Sequence, residues 1–208
     1  MKKYLVEFIG TFFFVLVIVC SVIGGAGDMA PLAIGSALMV MIYAGGHISG
    51  GHFNPAVTLA VFLRGKCPAA DVPMYMIAQI AGGAVAALLA TTVLGYQVAA
   101  APTGMADVTA GMVAEFLGAF AICWVVLHTA TAKGTAGNSN YGLAIGFTVT
   151  AMAYALGGIS GGAFNPAVAV GISVAELASW SNIWVFLVGN LLAGAAAAFL
   201  FKFVNGDD

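Results

Sequence analysis

Six apolar runs, each near the ~20 residues that a helix needs to cross a hydrocarbon core, leave this chain little choice of fold. They lie at about 4–23, 31–46, 73–95, 109–131, 141–157 and 181–204. Together they leave no room for a separate soluble unit, so residues 1–208 are expected to form one membrane domain. Composition points the same way: 62% of the chain is hydrophobic and 7% charged, against roughly 25% charged in an ordinary soluble domain. The opening "MKKYLVEFIGTFFFVLVIVC" has the two lysines and apolar run of a signal peptide. Glu7 interrupts that run and the second half of the chain repeats the pattern, so the segment reads as a retained span.

Threading six spans from a cytoplasmic N-terminus puts Lys2, Lys3, Arg64, Lys66, Lys133 and Lys202 on the cytoplasmic side, which accounts for all the Lys and Arg in the chain. This obeys the positive-inside rule and predicts that both termini are cytoplasmic. Asp28, Asp107 and Glu176 fall in the opposite loops. Internal similarity divides the chain at about 1–100 and 108–208: "EFIGTF" from Glu7 answers "EFLGAF" from Glu115, and "GGHISGGHFNPAVT" from Gly45 answers "GGISGGAFNPAVAV" from Gly157. Each half holds three spans. An odd number inserts the halves in opposite senses, the inverted repeat of transport folds whose sites lie near the membrane midplane.

The segments Asn54–Leu63 and Asn165–Val174 are too short to span and too apolar for free surface loops, which predicts re-entrant half-helices. Asn is a strong N-cap, Pro suits the first helical position and Ala continues a helix, so Asn54-Pro55-Ala56 and Asn165-Pro166-Ala167 read as two helix starts. The preceding "SGGHF" and "SGGAF" are expected to be extended backbone lining a passage, tolerated at this depth only beside protein or a wet cavity. Two opposed N-termini would each present roughly half a positive charge, opposing cations and protons. Each Asn oxygen would cap its helix while its NH2 donates to a passing water.

Other chemistry is excluded or unsupported. A net charge of −2 gives no nucleic-acid footprint. Cys20, Cys67 and Cys123 are scattered, so neither disulfides nor a metal spacing is indicated. No nucleophile–base pair suggests an enzyme, and no cofactor is implied. The 28 glycines suit close helix packing in lipid. The faces "AGGAVAALLA" at Ala81–Ala90 and "GNLLAGAAAA" at Gly189–Ala198 serve either contacts within the chain, the simpler reading, or a subunit interface.

On the paired "HISGGHFNPAVT" and "GGISGGAFNPAV", the chain resembles the major intrinsic protein family, the aquaporins and aquaglyceroporins, over essentially its whole length. The resemblance implies an all-α membrane protein: a right-handed, aquaporin-like bundle of six transmembrane helices plus two re-entrant half-helices, one pore per subunit, in a homotetramer within membrane lipid. It places Glu7 and Glu115 as buried carboxylates that accept backbone N–H bonds from the re-entrant loops, in keeping with the need of an intramembrane carboxylate for a partner. A proton relay is the sharper alternative. His47 is expected to help hold the first loop, with a pH-sensitive gate as the alternative. His52 is placed near the pore entrance, and His128 is read as structural.

The family's selectivity filter maps to Ile34, Ala153, Gly162 and Val168. Most members carry Arg where this chain has Val168, usually with an aromatic at the second-span position; some plant vacuolar members also read Asn-Pro-Ala-Val. Two small residues and no fixed charge predict relaxed size exclusion. Ala169 and Gly189-Asn190 depart from the usual marks that separate water from glycerol channels. The expected function is a passive channel for water and small uncharged solutes such as glycerol, urea, ammonia or hydrogen peroxide, in the inner membrane of a bacterium. The alternatives are a closed or junctional protein of the same fold, made conceivable by dewetting of an apolar ring, and a coupled transporter, for which only Glu7 and Glu115 are available as intramembrane carboxylates.

Overall fold

The six apolar runs become six helices in a computed structural model that describes residues 1–102 and 104–206. They are α1 (Lys2–Ile23), α2 (Ala30–Ser49), α4 (Val72–Leu88), α5 (Val108–Val126), α6 (Tyr141–Ser160) and α8 (Ile183–Asn205); α3 (Pro55–Leu63) and α7 (Pro166–Val174) are the short ones. No strand occurs among the described residues. Wide π turns carry α4 on to Val93 and α5 on to Thr131, and with them six helices are long and apolar enough to cross a membrane. The chain is a multi-pass integral membrane protein with an all-helical fold. The nine residues of α3 and of α7 extend only about 14 Å each at 1.5 Å per residue, roughly half a hydrocarbon core.

Each short helix starts as its sequence dictates. Asn54 and Asn165 sit in extended conformation, and their side chains accept the N–H groups of Ala56 and Ala167, with Pro at the first helical position. Elsewhere the caps differ with the local residues: Asp107 accepts the Ala110 N–H to start α5.

In three dimensions α1 packs on α2 and α4, α5 packs on α6 and α8, and α2 against α6 joins the halves. The short helices cross over, α3 lying against α8 and α7 against α4. That crossing explains the two small-residue faces. A Cβ on Gly83 would stand 2.6 Å from the Ala167 carbonyl oxygen, and one on Gly194 would stand 2.5 Å from that of Ala56. Both faces therefore serve contacts within the chain, where hydrogen in place of a methyl lets a half-helix seat directly on backbone.

The second and fifth spans run about three residues past their expected ends, so Ser49 and Ser160 of the stretches expected to be extended are still helical. The chain leaves the helix only at Gly50 and Gly161, whose left-handed φ of 91° and 98° lets their N–H groups cap α2 and α6. Gly is the residue that takes this conformation at little cost.

Candidate functional site

Two buried carboxylates hold the two loops. Glu7, two turns into α1, accepts the Ser49 hydroxyl at 2.6 Å, the His52 and Phe53 N–H groups at 3.0 and 2.7 Å, and the Gln79 amide at 2.7 Å. Glu115 on α5 accepts the Ser160 hydroxyl at 2.6 Å and the Ala163 and Phe164 N–H groups at 3.0 and 2.7 Å. Both side chains are fully buried, so loop N–H groups that would otherwise go unsatisfied in the bilayer meet the acceptors that most need donors. Ser49 and Ser160 then accept the N–H of Gly51 and Gly162.

The repeated glycine of the "EFxG" stretch has its own reason. Phe53 and Phe164 are buried with left-handed φ of 47° and 49°, an uncommon state for a bulky residue. Their rings fill the space above Gly10 and Gly118, where an added Cβ would lie 2.1 and 2.2 Å from ring carbon. One face of α1 thus pins the loop by hydrogen bonds at Glu7 and by shape at Gly10, and α5 does the same at Glu115 and Gly118.

So held, the two Asn-Pro-Ala starts meet. Asn54 Nδ2 donates to the Phe164 carbonyl at 3.1 Å and Asn165 Nδ2 donates to that of Phe53 at 2.9 Å. Their Oδ1 atoms accept from Ala56 N at 2.8 Å and from Ala167 N at 2.9 Å, with Val168 N at 3.5 Å. One N–H of each amide is therefore committed across the halves, and each amide keeps a second N–H. Both Asn residues line one small cavity of about 20 Å³.

That cavity is the middle of a row. Toward one face it shares Phe14, Val149 and Ala163 with a cavity of about 320 Å³ that Ile34, Ala153, Gly162 and Val168 line together. Toward the other it shares His52 and Val126 with a cavity of about 470 Å³ bordered by Lys3 and Lys66, and Gly51 and Ile145 with one of about 510 Å³ bordered by His47, Lys66 and Lys133. The row runs from a mouth rich in lysine to an apolar one.

His47 does not join the anchor. It is exposed at the lysine-rich mouth; its place on α2 turns it away from the loop, and Ser49, two residues on, reaches Glu7 instead. His52 does border the passage. Its Nδ1 meets the Thr58 hydroxyl at 3.1 Å, and since that hydroxyl also accepts from Gln79 Nε2 and gives its own proton to the Asn54 carbonyl, Nδ1 is the donor and Nε2 keeps the lone pair. His128 is structural, between the Trp124 carbonyl and the Asn205 amide. Sequence reasoning missed Ser49, Ser160, Gln79, Phe53 and Phe164. Four of these five stand in both copies of the repeat, which was the available signal.

A bundle of six spanning helices, with two half-helices meeting head to head in a row of cavities, defines the class of multi-pass membrane proteins with a central passage. The chain belongs to the major intrinsic protein family, which it matches over residues 1–201 and whose members are passive channels and not enzymes. It is 35% identical over 218 aligned positions to "Glycerol uptake facilitator protein-like 6" of Lactiplantibacillus plantarum, with 100% of both chains covered. To "Aquaporin NIP1-3" of Oryza sativa subsp. japonica it is also 35% identical, covering 100% of this chain and 75% of the relative. The X-ray structure of the aquaglyceroporin from Plasmodium falciparum shares the fold at a TM-score of 0.73, with 18% identity and 99% and 96% of the two chains covered.

Proposed function

We propose that this chain is a passive channel for water and small uncharged solutes, glycerol among them, which excludes ions where the two Asn-capped helix ends meet. The observation that carries this reading is the pair of crossed bonds from Asn54 to Phe164 and from Asn165 to Phe53. They set two helix N-termini against one cavity, each worth roughly half a positive charge, with no carboxylate lining that cavity to offset them. The remaining amide N–H of each Asn offers a donor to a water oxygen. The names of the relatives, a glycerol uptake facilitator and an aquaporin, support the same solute class.

Ile34, Ala153, Gly162 and Val168 form a permissive outer filter, with Ala and Gly on two sides and no fixed charge. The channel works as a homotetramer in a bacterial inner membrane with both termini cytoplasmic, the lysine-rich mouth facing inward. The experiment is stopped-flow light scattering on proteoliposomes, first with an impermeant osmolyte and then with glycerol. Fast shrinkage and fast glycerol re-swelling are expected. Val168→Arg adds a side chain and a charge to the outer cavity, so it lowers glycerol flux far more than water flux. Equal loss of both removes the filter assignment, and flux of neither in the unsubstituted protein favours a closed or junctional role.

A further inference from the structure

The four filter residues border the roomier of two adjoining cavities. Theirs measures about 320 Å³, whereas the cavity beside the Asn pair measures about 20 Å³, close to the ~10–15 Å³ of cavity volume needed to hold a single water. Three residues border both, and of these Ala163 is small and Val149 intermediate, leaving Phe14 as the one large side chain at the junction. It is 3% exposed.

Phe14 is also carried on an anchored helix face. It lies seven residues beyond Glu7, two helical turns along the same face of α1, and that face is tied to the first loop by Glu7 and by the contact of Gly10 with Phe53. The corresponding place on α5, seven residues beyond Glu115, is Ile122, which borders the small cavity but not the outer one. The phenyl ring of Phe14 therefore has an aliphatic counterpart, Ile122, in the other half.

Resting on the channel reading above, we propose that Phe14, backed by Val149 on α6, is the residue that sets the size limit for solutes in this chain. The outer ring is open and the phenyl collar inside it is not. An apolar collar offers no hydrogen bond, so a solute passes only if it fits in single file and can shed partners on one side while reaching the Asn amides on the other. Water meets both conditions, and each added carbon meets them less well.

The test compares water and glycerol permeability in proteoliposomes for the unsubstituted protein, Phe14→Leu, Val149→Ala, Val168→Arg and Phe14→Leu combined with Val168→Arg. Phe14→Leu is expected to raise the glycerol-to-water ratio by roughly tenfold, the scale on which a methylene-sized change alters discrimination, and Val149→Ala to raise it in the same direction. Retained water flux shows that each variant is folded. In series the narrower point governs, so the Phe14→Leu gain disappears when Val168→Arg makes the outer ring limiting. If both collar variants leave the ratio unchanged while Val168→Arg lowers it, the collar is refuted and the channel reading stands. If no form conducts water, both fall together.

Discussion

Glu7 and Glu115 each accept two consecutive loop N–H groups and one serine hydroxyl, and Glu7 receives the Gln79 amide at 2.7 Å where Glu115 has only the shorter Asn190 amide nearby. In the first half that amide continues to Thr58, and Thr58 to His52 and the Asn54 carbonyl, while the Tyr75 hydroxyl donates to the Ser49 carbonyl. The matching places in the second half are Asn190, Ala169, Ala163 and Phe186. One set of anchors thus serves both halves, but the amide in the first half continues through Thr58 to His52, whereas the buried Asn190 amide near Glu115 goes no further, with Ala169 and Ala163 at the matching places. Holding a half-helix needs the anchors alone. The rest of each loop is left to line a different mouth.

The largest test of this comparison is removal of the carboxylates. A buried donor left unsatisfied costs about 1–3 kcal/mol, and Glu7→Ala also breaks the direct 2.7 Å bond from Gln79. Thermal unfolding in detergent should therefore fall for both, furthest for Glu7→Ala. Equal losses would mean that Gln79 adds nothing to the first anchor.

Next come Gly10→Ala and Gly118→Ala. Overpacking costs about 1–3 kcal/mol, and the rings of Phe53 and Phe164 have little freedom to retreat from a Cβ that would sit 2.1 or 2.2 Å away. Similar losses at the two sites, with water flux reduced in both, would confirm that the shape anchor is common to the halves. A large loss at one site alone would break the equivalence.

A smaller effect is expected from Thr58→Ala, which leaves Gln79 and His52 short of a partner at a cost of about 1 kcal/mol. Ala169→Thr with Asn190→Gln would transplant the network into the second half, and the expected gain in melting temperature measures what it contributes. No gain would show that the network belongs to the lysine-rich mouth and not to loop support.

The smallest concerns Asp71, in the connection after α3. The Lys3 ammonium, and then the Tyr4 hydroxyl, hold its carboxyl below the usual carboxylate range. A lowered value means a contribution that is complete above the unfolded Asp value of ~3.9 and is lost as pH falls through the lower folded value. Melting temperature should drop on acidification across that window, and less steeply for Asp71→Asn. Parallel slopes would remove Asp71 from the account. The second half has no ion pair at the matching place among those described, so this term also separates the halves.

Much of the fold was legible because the bilayer turns backbone satisfaction and length into strict conditions. The six spans, the two short helices and their Asn caps follow from apolar run length and cap chemistry, and the repeated Glu needed a partner nearby in any arrangement. His47 was misplaced because the second span was expected to end near residue 46; α2 runs on to Ser49, and the helix turn carries Ser49 and not His47 to Glu7. Phe53 and Phe164 were overlooked because nothing in their residue type signals a left-handed conformation. Gly10 and Gly118, seen only as part of a repeat, make sense once their rings are in place.

By itself the sequence determined that this chain has six runs able to cross a membrane, that it repeats a helix start in two halves, and that its Lys and Arg residues gather at one end, since these depend on local composition and spacing. Which half-helix packs on which long helix was decided by the tertiary structure. So was the crossing of the Asn amides to the opposite loop, and so was the place of Phe14 between two cavities of unequal size. Each of these joins residues far apart along the chain, and their distances exist only once the two halves have closed on one another.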